Sequence, residues 1–267
     1  MDFRTVVDIP DPGFRIGPCE EMLFVGSCFA DSIGGRFLEE KFPATVNPYG
    51  VMYNPASILH TIRRMDKSRC FKTVFLTLGT NHVYRLKETG EIVDNCQKRP
   101  QLLFSEEELS VDECADYLMQ AISILHNINP EMNIVLTVSP IRYRKYGYHG
   151  SQLSKATLLL AIDKILGDSR ISYFPAYEIV NDELRDYRFY KPDMLHPSEQ
   201  TVEYIWERLV ATFFSDEARR FLEEWRPVKQ ALGHKPFDPQ SEEYKALMDK
   251  TMLKIAELKK KYPTFAP

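Results

Sequence analysis

Met22-Leu23-Phe24-Val25-Gly26-Ser27-Cys28-Phe29-Ala30-Asp31-Ser32 begins as an apolar run with the length of a short buried strand. Gly26 breaks the run, and two small nucleophilic side chains, Ser27 and Cys28, follow it. Phe29, Ile33 and Phe37 then recur four apart, the spacing of one helix face. Strand, glycine turn, nucleophile and helix in succession place a reactive group at the carboxyl end of a first strand, where open α/β sheets bind their ligands. The Gly34-Gly35 pair inside the helix weakens it unless close packing on the sheet requires small residues there.

Outward from this stretch, strand and helix patterns alternate. Ala44 to Asn47 reads as a short strand, and Asn54-Pro55 as a helix start with Asn at the cap and Pro at the first helical position. Val74 to Leu78 is a strand, and Val83–Leu86 with Glu91–Val93 form a hairpin around Glu88-Thr89-Gly90. Ser105 and Glu108 make a capping box, which predicts a helix from there to His126. Further strands are expected at Asn133–Val138 and Ile171–Phe174, separated by a helix over Ser151–Leu166. Ala176–Asp186 reads as a short helix, and Pro197–Trp225 as one long helix capped by Ser198. This alternation predicts a three-layer α/β/α sandwich around a flavodoxin-like parallel sheet of about five strands. Residues 1–225 would form that domain, and residues 226–267 a helical extension packed on it.

Composition narrows the function. The 267 residues are 44% hydrophobic and 27% charged, within the range of globular domains. A net charge of −4 offers no basic face, so no nucleic-acid partner is expected. No run approaches the ~18 apolar residues that span a bilayer. The first 19 residues mix charge with proline and lack the basic-then-apolar order of a signal peptide. Cys19, Cys28, Cys70, Cys96 and Cys114 are odd in number and widely spaced, which argues against a zinc knuckle or redox pair. Free thiols in a reducing cytoplasm fit them best, and a secreted chain with two bridges and a spare thiol is the alternative.

The chemistry-bearing residues fall at predicted strand ends. Beyond the fifth strand stands Asp193-Met194-Leu195-His196, a carboxylate and an imidazole three residues apart. Gly79-Thr80-Asn81 ends the strand at Val74–Leu78. Nucleophilic hydrolysis needs a nucleophile, a base for its proton and donors for the oxyanion, and strand ends of a parallel sheet collect on one edge. Taken singly, His196 reads equally as a structural histidine, Asp193 as a cap and Asn81 as a turn residue. Their joint order gives the active-site reading.

That order resembles the SGNH, or GDSL-like, hydrolase superfamily. Gly26-Ser27-Cys28-Phe29-Ala30 resembles the name-giving motif of the GSCFA family grouped with it. Asn47-Pro48-Tyr49-Gly50 with Asn54-Pro55, Val138-Ser139-Pro140 through Gln152–Thr157, and Ser172–Glu178 through Asp193–Pro197 are similar to the same family, so the likeness covers residues 20–210. The resemblance implies hydrolysis or transfer of an acyl ester, often on an acylated sugar, with no metal or other cofactor. It implies that His196 is the base and Asp193 its partner. Aligned without a gap, the superfamily's Gly-Asp-Ser puts Cys28 at the nucleophile, whereas Ser27 requires a turn one residue shorter. Asp31-Ser32 repeats the motif without its glycine but lies inside the helix. By order, Gly50 and Asn81 would join the nucleophile's own N–H as oxyanion donors, with Asn95 a competitor after the hairpin.

The basic, aromatic loop from Ile141 to Gly150 supplies substrate contacts in this reading: tyrosines for stacking on sugars, Arg142 for a carboxylate or phosphate, and His149 beside them. A solvated loop is the plainer reading. The expectation is therefore a cytoplasmic acyl esterase or acyltransferase on a small-molecule or carbohydrate ester. The alternative is a non-catalytic carbohydrate- or peptide-binding module on the same fold. A nucleotide-binding α/β protein is disfavoured, since neither Gly-x-Gly-x-x-Gly nor a Walker lysine follows the first strand.

Overall fold

The computed structural model describes residues 3–94, 96 and 99–265. The first stretch forms β1 (Met22–Gly26) and α1 (Cys28–Glu39), followed by β2 (Ala44–Val46), α2 (Pro55–Arg64) and β3 (Thr73–Leu78). Next come β4 (His82–Leu86), β5 (Ile92–Val93), β6 (Phe104–Glu108), α3 (Val111–Ile128), β7 (Asn133–Val138), α4 (Gly147–Ile165) and β8 (Ile171–Tyr173). The chain ends with α5 (Ala176–Glu178), α6 (Glu199–Phe213), α7 (Asp216–Gly233) and α8 (Glu242–Lys261).

The five strands of the main sheet are all parallel, in the order β2-β1-β3-β7-β8. This is the flavodoxin-like doubly wound order, whose direction reverses between β1 and β3. Both faces are covered, so β1 and β3 are buried along their whole length and mostly apolar, rather than alternating buried and exposed residues. Met22, Phe24 and Phe75 face α1, α6, α7 and α8, where Phe37 packs edge-on to Trp206 at 4.8 Å. Leu23, Val25, Val74 and Leu76 face α2, α3 and α4. A Cβ on Gly34 would come within 2.6 Å of Val46, so close packing of α1 on β2 accounts for that glycine.

Three element expectations change. Residues 104–108 pair antiparallel with β4, from Leu86↔Phe104 to His82↔Glu108, and complete a small sheet β5-β4-β6. The capping box lies five residues further on: Ser110 accepts from Glu113 N while Glu113 reaches back to the Ser110 N–H. Two Ser-x-x-Glu patterns compete here, and strand pairing takes the first. The helix expected over 197–225 is two. Ser215 caps α7 by accepting from Ala218 N, while its own N–H donates to Ile16 of the N-terminal arm. That arm adds a bridge, Ile16↔Phe214, which local periodicity does not reveal. After α5, the chain makes a π-turn over Ile179–Leu184 that ends at Arg185 in the left-handed region, φ +46°.

α7 runs unbroken across position 225, and Trp225, Ile255, Tyr262 and Phe265 join the core that holds Phe42 and Phe214. No helix among the described residues is long and apolar enough to cross a membrane.

Candidate active site

The site is built where β1 and β3 end, at the reversal of strand order. Gly26 has φ +144°, and a Cβ there would lie 2.0 Å from Thr77 O on β3, so the turn admits glycine only. Its N–H donates to Asn47 Oδ1 at 2.9 Å, and its carbonyl accepts from Met52 N at 2.8 Å. The segment after β2 therefore wraps the end of β1.

Ser27 is the helix cap. It is 1% exposed, its Oγ accepts from Phe29 N at 3.3 Å and shares a hydrogen bond with Thr77 Oγ1 at 3.1 Å. Cys28 is the first residue of α1 and only half-buried. Its Sγ lies 3.5 Å from Tyr53 Oη. Partial burial, with the neighbouring Cys28, pushes the Tyr53 phenol up to about 12, so it remains a proton donor at neutral pH. The N–H of a first helical residue has no intrahelical acceptor, and the helix N-terminus favours negative charge beside it.

Tyr53 also ties this corner to β3, since its carbonyl accepts from Gly79 N and Thr80 N at 2.8 and 2.9 Å. Tyr143 packs edge-on to the Tyr53 ring at 5.9 Å, and its hydroxyl is buried without a hydrogen-bond partner among the described residues. Burial pushes that phenol well above the usual range. Beneath them Lys155, 2% exposed, donates from Nζ to Gly79 O at 2.7 Å and to Ser139 O at 2.8 Å, clamping the ends of β3 and β7. Burial pulls its ammonium down to about 7.

Beyond β8, Asp193 and His196 form a closed pair. Asp193 Oδ2 meets His196 Nδ1 at 2.6 Å, while Oδ1 accepts the N–H groups of Leu195 and His196 at 2.8 and 3.0 Å. Those backbone donors, then the imidazole, hold the Asp193 carboxyl down at about 2. The pairing leaves Nε2 as the ring nitrogen without a hydrogen bond among the described residues. Arg142, next to Tyr143, fastens this loop to the end of β7: its N–H donates to Leu195 O at 3.1 Å and its Nη1 to Met194 O at 3.0 Å. A chain of contacts thus runs from Cys28 through Tyr53, Tyr143 and Arg142 to the segment carrying His196.

The expected oxyanion residues have other partners. The Gly50 N–H donates to Asn47 O at 2.8 Å within its turn. The Asn81 side chain is buried, with Nδ2 donating to Leu109 O at 2.7 Å and Oδ1 unpartnered among the described residues. Asn95 lies outside the described residues. His149 is exposed on the first turn of α4. Tyr53 and Lys155 were given no role from sequence, and Tyr143 was read only as one of the loop tyrosines for stacking on sugars. Lys155 had a signal, since it falls on the apolar face of α4 with Ser151, Leu158 and Ile162.

The fold is that of a doubly wound α/β protein, with the Gly26-Ser27-Cys28 turn at the end of β1 and a hydrogen-bonded Asp193–His196 pair beyond β8. The chain belongs to the GSCFA family, whose sequence model matches residues 21–73 and 69–209. The model of the GSCFA domain protein C-terminal domain matches residues 225–266. None of the curated proteins matches. Among solved structures the chain is similar to a member of the lipolytic G-D-S-L family from Veillonella parvula (TM-score 0.48, 13% identity, 72% of this chain and 97% of that one). It is also similar to a family 3 carbohydrate esterase from Clostridium thermocellum (0.45, 14%, 76% and 98%). A third is a carbohydrate esterase family 3 protein from Talaromyces cellulolyticus (0.44, 8%, 77% and 99%).

Proposed function

We propose that the protein hydrolyses or transfers acyl esters, with Cys28 as nucleophile, His196 as general base and Asp193 orienting the imidazole. The observation that carries this reading is the division of labour in the Ser27-Cys28 pair. The serine is sealed as a helix cap, while the thiol stands half-open at the helix N-terminus, sharing a hydrogen bond with the Tyr53 phenol. The motif order also resembles that of SGNH hydrolases.

In this mechanism His196 Nε2 takes the thiol proton as Sγ bonds to the acyl carbon. The carbonyl electron pair moves to oxygen, where the Cys28 N–H at the mouth of α1 stabilises it. Collapse breaks the bond to the alcohol, which leaves with the proton from His196. Water then attacks the thioester with His196 again as base, releasing the acid and restoring the thiol. A second alcohol in place of water gives transfer. Lengthwise, the tyrosines Tyr148, Tyr187 and Tyr190 around Arg142 favour a carbohydrate as acyl carrier.

A non-catalytic carbohydrate- or peptide-binding module is the second reading, favoured by the present engagement of Gly50 and Asn81 with other acceptors. Turnover of 4-nitrophenyl acetate separates the two. Cys28→Ala is expected to lower kcat about 10³-fold or more, while Ser27→Ala keeps turnover within a few fold and costs about 1 kcal/mol of stability through the lost cap. Equal loss in both variants, or wild-type turnover no faster than free cysteine, contradicts the thiol mechanism.

A further inference from the structure

Beside the His196 loop lies an open pocket of about 240 Å³, whose lining includes Arg142, Gln152, Arg185, Asp186, Tyr187 and Tyr190. Its size suits one sugar unit rather than a larger ligand. The pocket is continuous with the Asp193–His196 segment. Tyr190 bridges to Pro197, Lys191 N donates to His196 O at 2.7 Å, and Arg142 donates to Met194 O and Leu195 O.

Two guanidinium groups line it, and among the described residues neither is in an ion pair. Arg142 is bordered by tyrosine rings, with its guanidinium 4.3 Å from the centre of Tyr148 and 5.5 Å from that of Tyr190. Among the described residues only its Nη1 is engaged, by Met194 O, which leaves the other guanidinium N–H donors available to a planar anion. Arg185 stands in the left-handed region at the end of the π-turn, φ +46°, where glycine would be adopted at less cost. A strained backbone position and a π-turn at a pocket wall are features that gather at ligand sites. Asp186, the one acid among the lining residues described, is paired with Arg188 at 3.6 Å, so the charge of Arg142 and Arg185 is left for an anion. A carboxylate matches the flat fork of the guanidinium.

We propose that this pocket is a subsite for a carboxylate-bearing sugar, held by Arg142 and Arg185 with Tyr187 and Tyr190 against the ring. Resting on the esterase reading above, it makes the acyl carrier an acidic carbohydrate, whose carboxylate docks beside the acid–base loop and orients the ester toward Cys28.

Two measurements test it. The first compares kcat/KM for 4-acetoxybenzoate and for its neutral methyl ester. The wild type is expected to favour the anion, and Arg142→Gln and Arg185→Gln are each expected to lower the anion-to-neutral ratio about tenfold, the worth of a charge-assisted hydrogen bond. The second is calorimetric binding of galacturonate, galactose and galactose 6-phosphate to the intact protein, which needs no turnover. Galacturonate is expected to bind at least about tenfold tighter than galactose, with the preference lost in Arg185→Gln. No preference for galacturonate, or one that survives both substitutions, overturns the subsite. Tighter binding of the phosphate than of the carboxylate overturns the assignment to a sugar acid. Absence of turnover on every ester contradicts the esterase reading alone, and the binding arm still decides the subsite.

Discussion

At the end of β1, the turn is fixed by groups far away in sequence: Asn47 and Met52 on Gly26, and Thr77 on Ser27, whose side chain is sealed from solvent. Across the sheet edge, Asp193 and His196 keep 43% and 41% of their side chains exposed, and bonds within three residues lock the pair together. One half of the site is therefore made by the fold, and the other by a local turn seated on it. Damage to the first should spread into stability, whereas damage to the second should stay with the chemistry.

The largest expected effect falls on the local side. His196→Ala should lower turnover of 4-nitrophenyl acetate by about 10³-fold, in the range of a lost general base. Its unfolding free energy should stay within about 0.5 kcal/mol of wild type, as for an exposed side chain. Denaturant melts alongside the kinetics check both halves, and a large stability loss would erase the contrast between the two regions. Gly26→Ala is the converse test. The added Cβ must displace Thr77 O from β3, so the substitution should cost about 3 kcal/mol and reduce activity through misfolding of the turn. A melt indistinguishable from wild type would show that the β1 end is not held as described.

The smallest effect is a pH signature. Asp193 is held at about 2 in the folded chain, below the roughly 3.9 of an unfolded aspartate. A carboxyl depressed by folding adds stability that is present above the unfolded value and is lost as pH falls towards the folded one. Wild type should therefore lose stability between about pH 4 and pH 2 more steeply than Asp193→Asn. Parallel curves for the two proteins would remove Asp193 as the group responsible.

The same contrast governs what could be read from the sequence. The Asp-x-x-His spacing is a local motif, and its partnership is visible in the chain itself. The parallel sheet was legible too, because strands buried on both faces are short apolar runs between helical periods. The end of β1 was legible as a strand followed by a glycine turn, but not the different surroundings of Ser27 and Cys28. Those depend on Thr77 and Tyr53, residues 50 and 25 positions away. Tyr53 lies between Pro48 and Pro55 in a segment with no strand or helix period, and only the return of that segment over Gly26 brings its phenol to the sulfur. Likewise β6 is decided by its partner β4, against a local capping pattern that favours a helix.

The central claim is that the thiol of Cys28, and not the hydroxyl of Ser27, takes the acyl group. Rapid acid quenching during turnover of 4-nitrophenyl acetate, followed by peptide mass mapping, reads this directly. The account predicts an acetyl thioester on Cys28 that is removed by hydroxylamine and is absent in Cys28→Ala. An acetyl ester on Ser27, persisting when Cys28 is replaced, would contradict it.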